Sequence, residues 1–326
     1  FSPAYGFGQV DALAAVGMAD VWTLMHGSAQ TSANEQHVSA ATSMAAAIPD
    51  LGTAQAQVNV TQSIIVETVM VTVSVTHSFG GDLKLSLLAP DGTQFLLMED
   101  YGNTPDMSTG FTWTFAVEGA RGMDSAGLWR LMAQDQAAGD VGTVTGFSVD
   151  IFGATASAYR VHTFTDDFLL FRSLDSSRAN LMSASAGDWL NFAGVTGDMQ
   201  VELTAGKAVL VDGVYWATLN AASAFAKLAT GAGDDYVLSG TGAKQIHLGL
   251  GDDRLVVGAA IGTFSGGLGS DVISYFYAPD GVLLNLGTNV SGGSWAADDI
   301  IDGFESAIGS DVGNDTLYGS AGANTL

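Results

Sequence analysis

Asp235, Asp253 and Asp271 recur at a spacing of 18 residues, each in a turn flanked by glycine. Carboxylates are hard oxygen ligands, so acids repeating at this interval point to the binding of a divalent cation. The interval is twice a shorter one. From residue 230 the chain divides every nine residues as TGAGDDYVL, SGTGAKQIH, LGLGDDRLV, VGAAIGTFS and GGLGSDVIS. The second position is glycine throughout (Gly231, Gly240, Gly249, Gly258, Gly267), and the eighth is apolar throughout (Val237, Ile246, Leu255, Phe264, Ile273).

Such a repeat needs elements that bring distant acids together. Each nonapeptide is expected to make a glycine turn followed by a short strand with its apolar residue turned inward. Two nonapeptides then close one coil, and residues 18 apart stack along one edge. Strands stacked about 4.8 Å apart would bring unit charges into a repulsion of roughly 3 kcal/mol at an effective dielectric near 20. A cation between them reverses the sign. Six or more oxygens at about 2.3 to 2.6 Å suit Ca²⁺ far better than Zn²⁺. The expected ligands are Asp235, Asp253 and Asp271, with Asp253 shared by two inter-coil positions. Asp234 and Asp252 assist, together with the turns at Gly231, Gly233, Gly249, Gly251, Gly267 and Gly269. Lys244 and Gly262 occupy the acid slot of the intervening repeats, so little or no calcium is expected on the opposite edge. The register breaks over 275–309, read as an insertion that adds strands outside the array. It resumes as SDVGNDTLY from 310, with Asp315 in the ligand slot.

Composition agrees with a folded, cation-seeking chain. Among 326 residues, 34 acids against 10 bases give a net charge of −24, which argues against nucleic acid and anionic membranes as partners. Disorder is excluded by an apolar content of 47%. The lack of cysteine removes disulfide scaffolds, Cys-type zinc sites and thiol nucleophiles. No run of 18 uninterrupted apolar residues predicts a membrane span. The five histidines at 26, 37, 77, 162 and 247 are scattered without an H-E-x-x-H pair. The chain opens on Phe1 with no basic then apolar leader, and it reads as a cut through a larger protein.

Ahead of the repeats, residues 8–22 read as a helix and 27–47 as a linker. Val69, Val71, Val73 and Val75 alternate with polar residues, and Leu83, Leu85 and Leu87 lead through Pro90-Asp91-Gly92 to a second strand at 95–98. Phe111, Trp113 and Phe115, the segment 128–133, and Phe147, Val149 and Ile151 continue the pattern. These aromatics and Trp129 are expected in the core. The whole predicts an antiparallel sandwich over 48–153, followed by irregular β structure over 154–229.

Several segments resemble known families. The nonapeptides match G-G-x-G-x-D-x-U-x, the calcium-binding parallel β-roll repeat of RTX proteins. FSPAYGFGQVDALAAV at 1–16 resembles the end of a subtilisin-like catalytic domain. THSFGGDLKLSLLAPDGT at 76–93, GLWRLMAQD at 127–135 and GTVTGFSVDIFG at 142–153 resemble the P/Homo B domain of proprotein-convertase-type subtilases. The implied fold is mainly β: a jelly-roll-like sandwich, then a parallel roll over 230–326, with the short N-terminal helix within 1–26. ATSMAAA at 41–47 resembles the box that holds the subtilisin nucleophile. Ser43 nevertheless follows the YGFG-VDA segment instead of preceding it, Ala41 and Ala47 replace the motif glycine and proline, and no acid or base box lies upstream. Ser43 is therefore not read as catalytic.

What the resemblance implies is the C-terminal accessory portion of a secreted, calcium-dependent subtilisin-like serine endopeptidase. Its own catalytic domain, calcium ions and an export machinery would be the partners, and its place would be extracellular. The acidic coils would stay open at submicromolar cytosolic calcium and fold at millimolar levels outside the cell. A non-enzymatic RTX adhesin or surface-layer protein is the alternative with the same composition.

Overall fold

A computed structural model describes residues 10–26, 31–99, 107–155, 157, 159–223 and 225–326. The start of the protease-like segment, residues 1–9, lies outside the described residues. The structure is mainly β, and the chain forms two compact units, one from 30–156 and one from 10–29 with 157–326. None of the described helices is long and apolar enough to cross a membrane.

In the first unit the alternating valines and leucines build two antiparallel sheets around one core. One sheet runs Gln36–Thr42, Gly142–Thr155, Ile64–His77, Met107–Val117, and Ala46–Ile48 also pairs with Gly142–Thr155. The other runs Thr53–Val60, Gly127–Asp135, Leu83–Leu88, Gln94–Met98. Val69, Val71 and Val73 on the first sheet and Leu83, Leu85 and Leu87 on the second are fully buried in this core. At the Pro90-Asp91-Gly92 turn, the Asp91 carboxylate accepts from the Thr93 amide at 2.9 Å and Gly92 takes φ +91°. His77 is buried with its Nδ1 2.6 Å from the Phe79 carbonyl oxygen, a structural position.

Two expectations are corrected here. Much of 27–47 is not a linker: Gln36–Thr42 pairs over seven residues with Gly142–Thr155, and Ala46 and Ala47 pair with it too. Only Val38 of that strand is buried, so its small side chains show no period in sequence although the backbone is fully engaged. Trp113 is not core. Its strand is the outer one of its sheet, and the indole is 57% exposed. Trp129, by contrast, is wholly buried, and its indole N–H donates to the Ser125 carbonyl at 2.9 Å. Trp129→Ala should destabilise this unit by about 3 to 5 kcal/mol, through a cavity and an orphaned carbonyl. Calorimetry would show its transition falling by about 10 °C or more while the second unit's stays in place.

The second unit is built on two sheets that the chain visits in alternation. A six-stranded parallel sheet holds Val161–Thr165, Trp189–Gly194, Lys227–Ala229, Gly242–His247, Ala260–Ser265 and Ile300–Asp302. An eight-stranded sheet holds, in parallel succession, Met199–Glu202, Tyr236–Leu238, Arg254–Val256, Val272–Ser274 and Ser306–Ile308. Within the repeats the register advances by 18 residues, pairing Lys227 with Gln245 and Tyr236 with Arg254. Val237, Ile246, Leu255, Phe264 and Ile273, the eighth positions, are all buried in one cluster. Periodic residues and periodic layers therefore coincide.

The parallel sheets reach further than the repeats. Residues 154–229 are not irregular, because Val161–Thr165, Trp189–Gly194 and Met199–Glu202 belong to the same two sheets. Nor does the stretch 275–309 lie wholly outside the array: Ile300–Asp302 and Ser306–Ile308 re-enter both sheets before residue 310. Two excursions interrupt the coils. After Met199–Glu202 the hairpin of Ala208–Val211 with Val214–Leu219 breaks the parallel succession and folds back antiparallel onto that strand within the eight-stranded sheet, and 275–299 leaves after Val272–Ser274. Both depart on the passage from the eight-stranded to the six-stranded sheet.

The helix Ala12–Asp20, capped by Asp11 through the Ala14 amide at 3.0 Å, belongs to this second unit. A Cβ at Gly17 would stand 2.1 Å from the Ala193 carbonyl oxygen, so glycine sets the closeness of that contact. Asp20 Oδ2 adds a contact to His247 Nε2 at 3.0 Å.

Candidate functional site

The passages from the six-stranded to the eight-stranded sheet form one edge, and the acids of the repeats over 230–274 sit there. Coils approach so closely at this edge that side chains are excluded. A Cβ on Gly249 would lie 2.3 Å from the Gly231 carbonyl oxygen, and one on Gly267 2.0 Å from that of Gly249. Gly251 and Gly269 stand in the same relation to the carbonyls of Gly233 and Gly251, at 2.3 and 1.8 Å. A Cβ on Gly231 would lie 1.9 Å from the Val195 carbonyl oxygen and one on Gly233 2.5 Å from the Gly197 backbone, so the column starts before residue 230.

Onto this scaffold the structure brings Asp235, Asp253 and Asp271 as a buried ladder, 2%, 1% and 0% exposed. Each carboxylate accepts the amide of the preceding coil: Asp235 from Met199 at 2.8 Å, Asp253 from Asp235 at 2.7 Å, Asp271 from Asp253 at 2.9 Å. Beside it runs an exposed ladder of opposite polarity. Asp198 accepts from Asp234, Asp234 from Asp252, and Asp252 from Ser270, each at 2.9 Å. The stacking of acids 18 apart is thus a direct backbone-to-carboxylate geometry.

One oxygen of each inner carboxylate is used in that way. The second Asp235 oxygen accepts from the Gly231 amide at 3.3 Å, whereas Oδ2 of Asp253 and Oδ2 of Asp271 are buried with no hydrogen-bond partner. Burial pushes all three acids up, Asp235 to about 7, Asp253 to about 8 and Asp271 to about 6. Neighbouring carboxylates add to the rise: Asp235 and Asp271 act on Asp253, and Glu305 and Asp252 act on Asp271. Orphaned anionic oxygens in a dry stack are costly unless a proton or a cation meets them. The donors are all oxygen, which fits a hard divalent ion. Among the described residues, no three acidic or histidine side chains converge on one point. A cation here would therefore rest on paired carboxylates completed by turn carbonyls.

The opposite edge differs in kind. The Lys244 ammonium, half-buried, donates to the Phe225 carbonyl at 3.3 Å, and burial lowers its pKa. Gly262 donates its amide to Asp299 Oδ1 at 2.7 Å, and Tyr275 donates its hydroxyl to Asp299 Oδ2 at 2.6 Å. Asp299 therefore fills the acid slot on this edge with both oxygens partnered. Asp315 does not join the ladder. It accepts from the Val282 amide and the Ser310 hydroxyl, each at 2.9 Å, next to a strand, Thr316–Tyr318, that pairs with Leu283–Asn285 in a third sheet. The excursion 275–299 supplies its partner strand, a connection that nine-residue counting does not contain.

Sequence reasoning missed Asp198, Asp299 and Glu305. The usable signal was GVTGDMQVE at 194–202, which has the glycine and acid of a repeat turn but Met199 in the ladder slot. Ser43 lies exposed between Gln36–Thr42 and Ala46–Ile48.

Residues 66–151 match the proprotein convertase P-domain family. A transglutaminase-activating metalloprotease of Streptomyces mobaraensis is 33% identical over 105 residues, 30% of this chain and 13% of that protein. Neuroendocrine convertase 2 of Caenorhabditis elegans is 28% identical over 167 residues, 49% of this chain and 25% of that protein. The matched stretches therefore span a quarter or less of these relatives. Among solved structures, the serine protease of Aeromonas sobria aligns with a TM-score of 0.38 at 20% identity, over 47% of this chain and 32% of that one.

Proposed function

We propose that this chain is the C-terminal accessory portion of a secreted subtilisin-like serine endopeptidase, in which the sandwich supports the catalytic domain and the coiled unit binds calcium. The observation that carries the first half is the P-domain match over 66–151, lying on an antiparallel sandwich with a continuous core. The protease relatives favour the same class. Subtilisin-like chemistry is favoured by the YGFG-VDA segment ahead of the sandwich. On this reading the sandwich is the jelly-roll P/Homo B domain and the coils are an RTX roll.

Calcium is favoured by the two orphaned oxygens of Asp253 and Asp271 in a stack of carboxylates and carbonyls. Asp235, Asp253 and Asp271 would hold the ion between coils, with carbonyls of the glycine turns as further ligands. Calcium would supply the charge that lets the acids approach. The acids themselves position the coils by accepting their neighbours' amides. Low cytosolic calcium would keep the unit open for export, and external calcium would close it.

The test is the gene and its product. Upstream of Phe1 the reading frame should encode the Asp, His and Ser boxes of a subtilisin-like protease. Removing residues 31–156 from the full-length protein should abolish secretion of active, phenylmethylsulfonyl-fluoride-sensitive enzyme. A reading frame without those boxes would overturn the proposal in favour of the adhesin.

A further inference from the structure

We propose that Glu305, paired with Asp271, forms an additional cation position at the end of the buried carboxylate ladder, outside the nine-residue repeats. It rests on the calcium reading of that ladder and adds a ligand to it. The strand Ser306–Ile308 lies parallel to Val272–Ser274 with Ser306 opposite Val272, which places Glu305 beside Asp271. Glu305 Oε2 accepts the Asp271 amide at 2.8 Å. The same contact joins Asp271 to the Asp253 amide and Asp253 to the Asp235 amide, at 2.9 and 2.7 Å. Glu305 is thus the next rung by geometry.

The second observation is independent of charge clustering. Asp271 is fully buried, and its Oδ2 has no partner. That oxygen borders Gly266, where a Cβ would stand 2.7 Å from Asp271 Oδ2 and 2.1 Å from the Gly303 carbonyl oxygen. The orphaned oxygen and a carbonyl from Glu305's own coil thus lie together beside Gly266, separated by no more than two calcium–oxygen bonds of about 2.4 Å. Turn length explains why a glutamate serves here. Three residues, 303–305, link Ile300–Asp302 to Ser306–Ile308, against six, 266–271, in the preceding coil. The extra methylene lets the carboxylate reach the ladder from the tighter turn.

The test is calcium-45 equilibrium dialysis of the whole 326-residue chain, with melting of the metal-free protein alongside. Glu305→Gln keeps the reach and the amide acceptor but loses the charge, whereas Glu305→Ala loses both. A ligand role predicts that both variants bind one calcium fewer than the parent, or bind it at least about tenfold more weakly. It also predicts that the Gln variant melts like the parent without metal. If Gln binds as the parent does and only Ala is impaired, Glu305 is a hydrogen-bond acceptor and the inference fails while the calcium reading stands. If the parent chain binds no calcium, both fail.

Discussion

Calcium at about a hundred times its dissociation constant is expected to raise the melting temperature of the coiled unit by about 10 to 20 °C and leave the sandwich unmoved. Each ion bound only by the folded form contributes about 2.7 kcal/mol at that excess, so two inter-coil ions give about 5 kcal/mol. For a unit of this size, each kcal/mol moves the midpoint by about 2 to 4 °C. The sandwich has its own core and none of the ladder acids. Calorimetry in chelator and in calcium should therefore show two transitions, of which one moves. A shift below about 2 °C, or equal shifts of both, would refute binding at the ladder.

The metal-free coiled unit is expected to lose stability as pH rises, the reverse of most acidic proteins. The pKa values of Asp235, Asp253 and Asp271 are raised in the folded state to about 7, 8 and 6, chiefly by burial. An acid that holds its proton more tightly when folded favours the folded form while protonated. That contribution is full below about pH 4, the unfolded value, and disappears as pH climbs through the interval from 6 to 8. Metal-stripped protein should melt highest near pH 5 and markedly lower at pH 9. Calcium should erase most of this slope and release protons as it binds near pH 7. A melting temperature that rises from pH 5 to pH 9 without metal would show that these carboxyls are not buried.

The 18-residue ladder was legible because nothing but glycine fits where coils touch and the acids recur in fixed relation to those glycines. Rungs at the ends were not. Val272 pairs with Ser306 across 34 residues, so the excursion hides Glu305 from any fixed period; Gln200 pairs with Tyr236 across 36, which keeps Asp198 in phase, but Met199 in the ladder slot and the hairpin between them mask that turn. In the sandwich, alternation marked strands correctly but did not tell which lay at a sheet margin. Trp113 alternates as faithfully as Val73 beside it, yet only the valine is covered. The strand Gln36–Thr42 owes its place to backbone pairing, and backbone pairing leaves no mark on residue type.

Both excursions leave at the same corner, the one opposite the buried ladder, and the layers on either side close up again without losing register. That corner is a natural graft site. A foreign loop spliced there would be carried by directly paired layers, while the glycine column and the buried acids at the far edge stayed untouched.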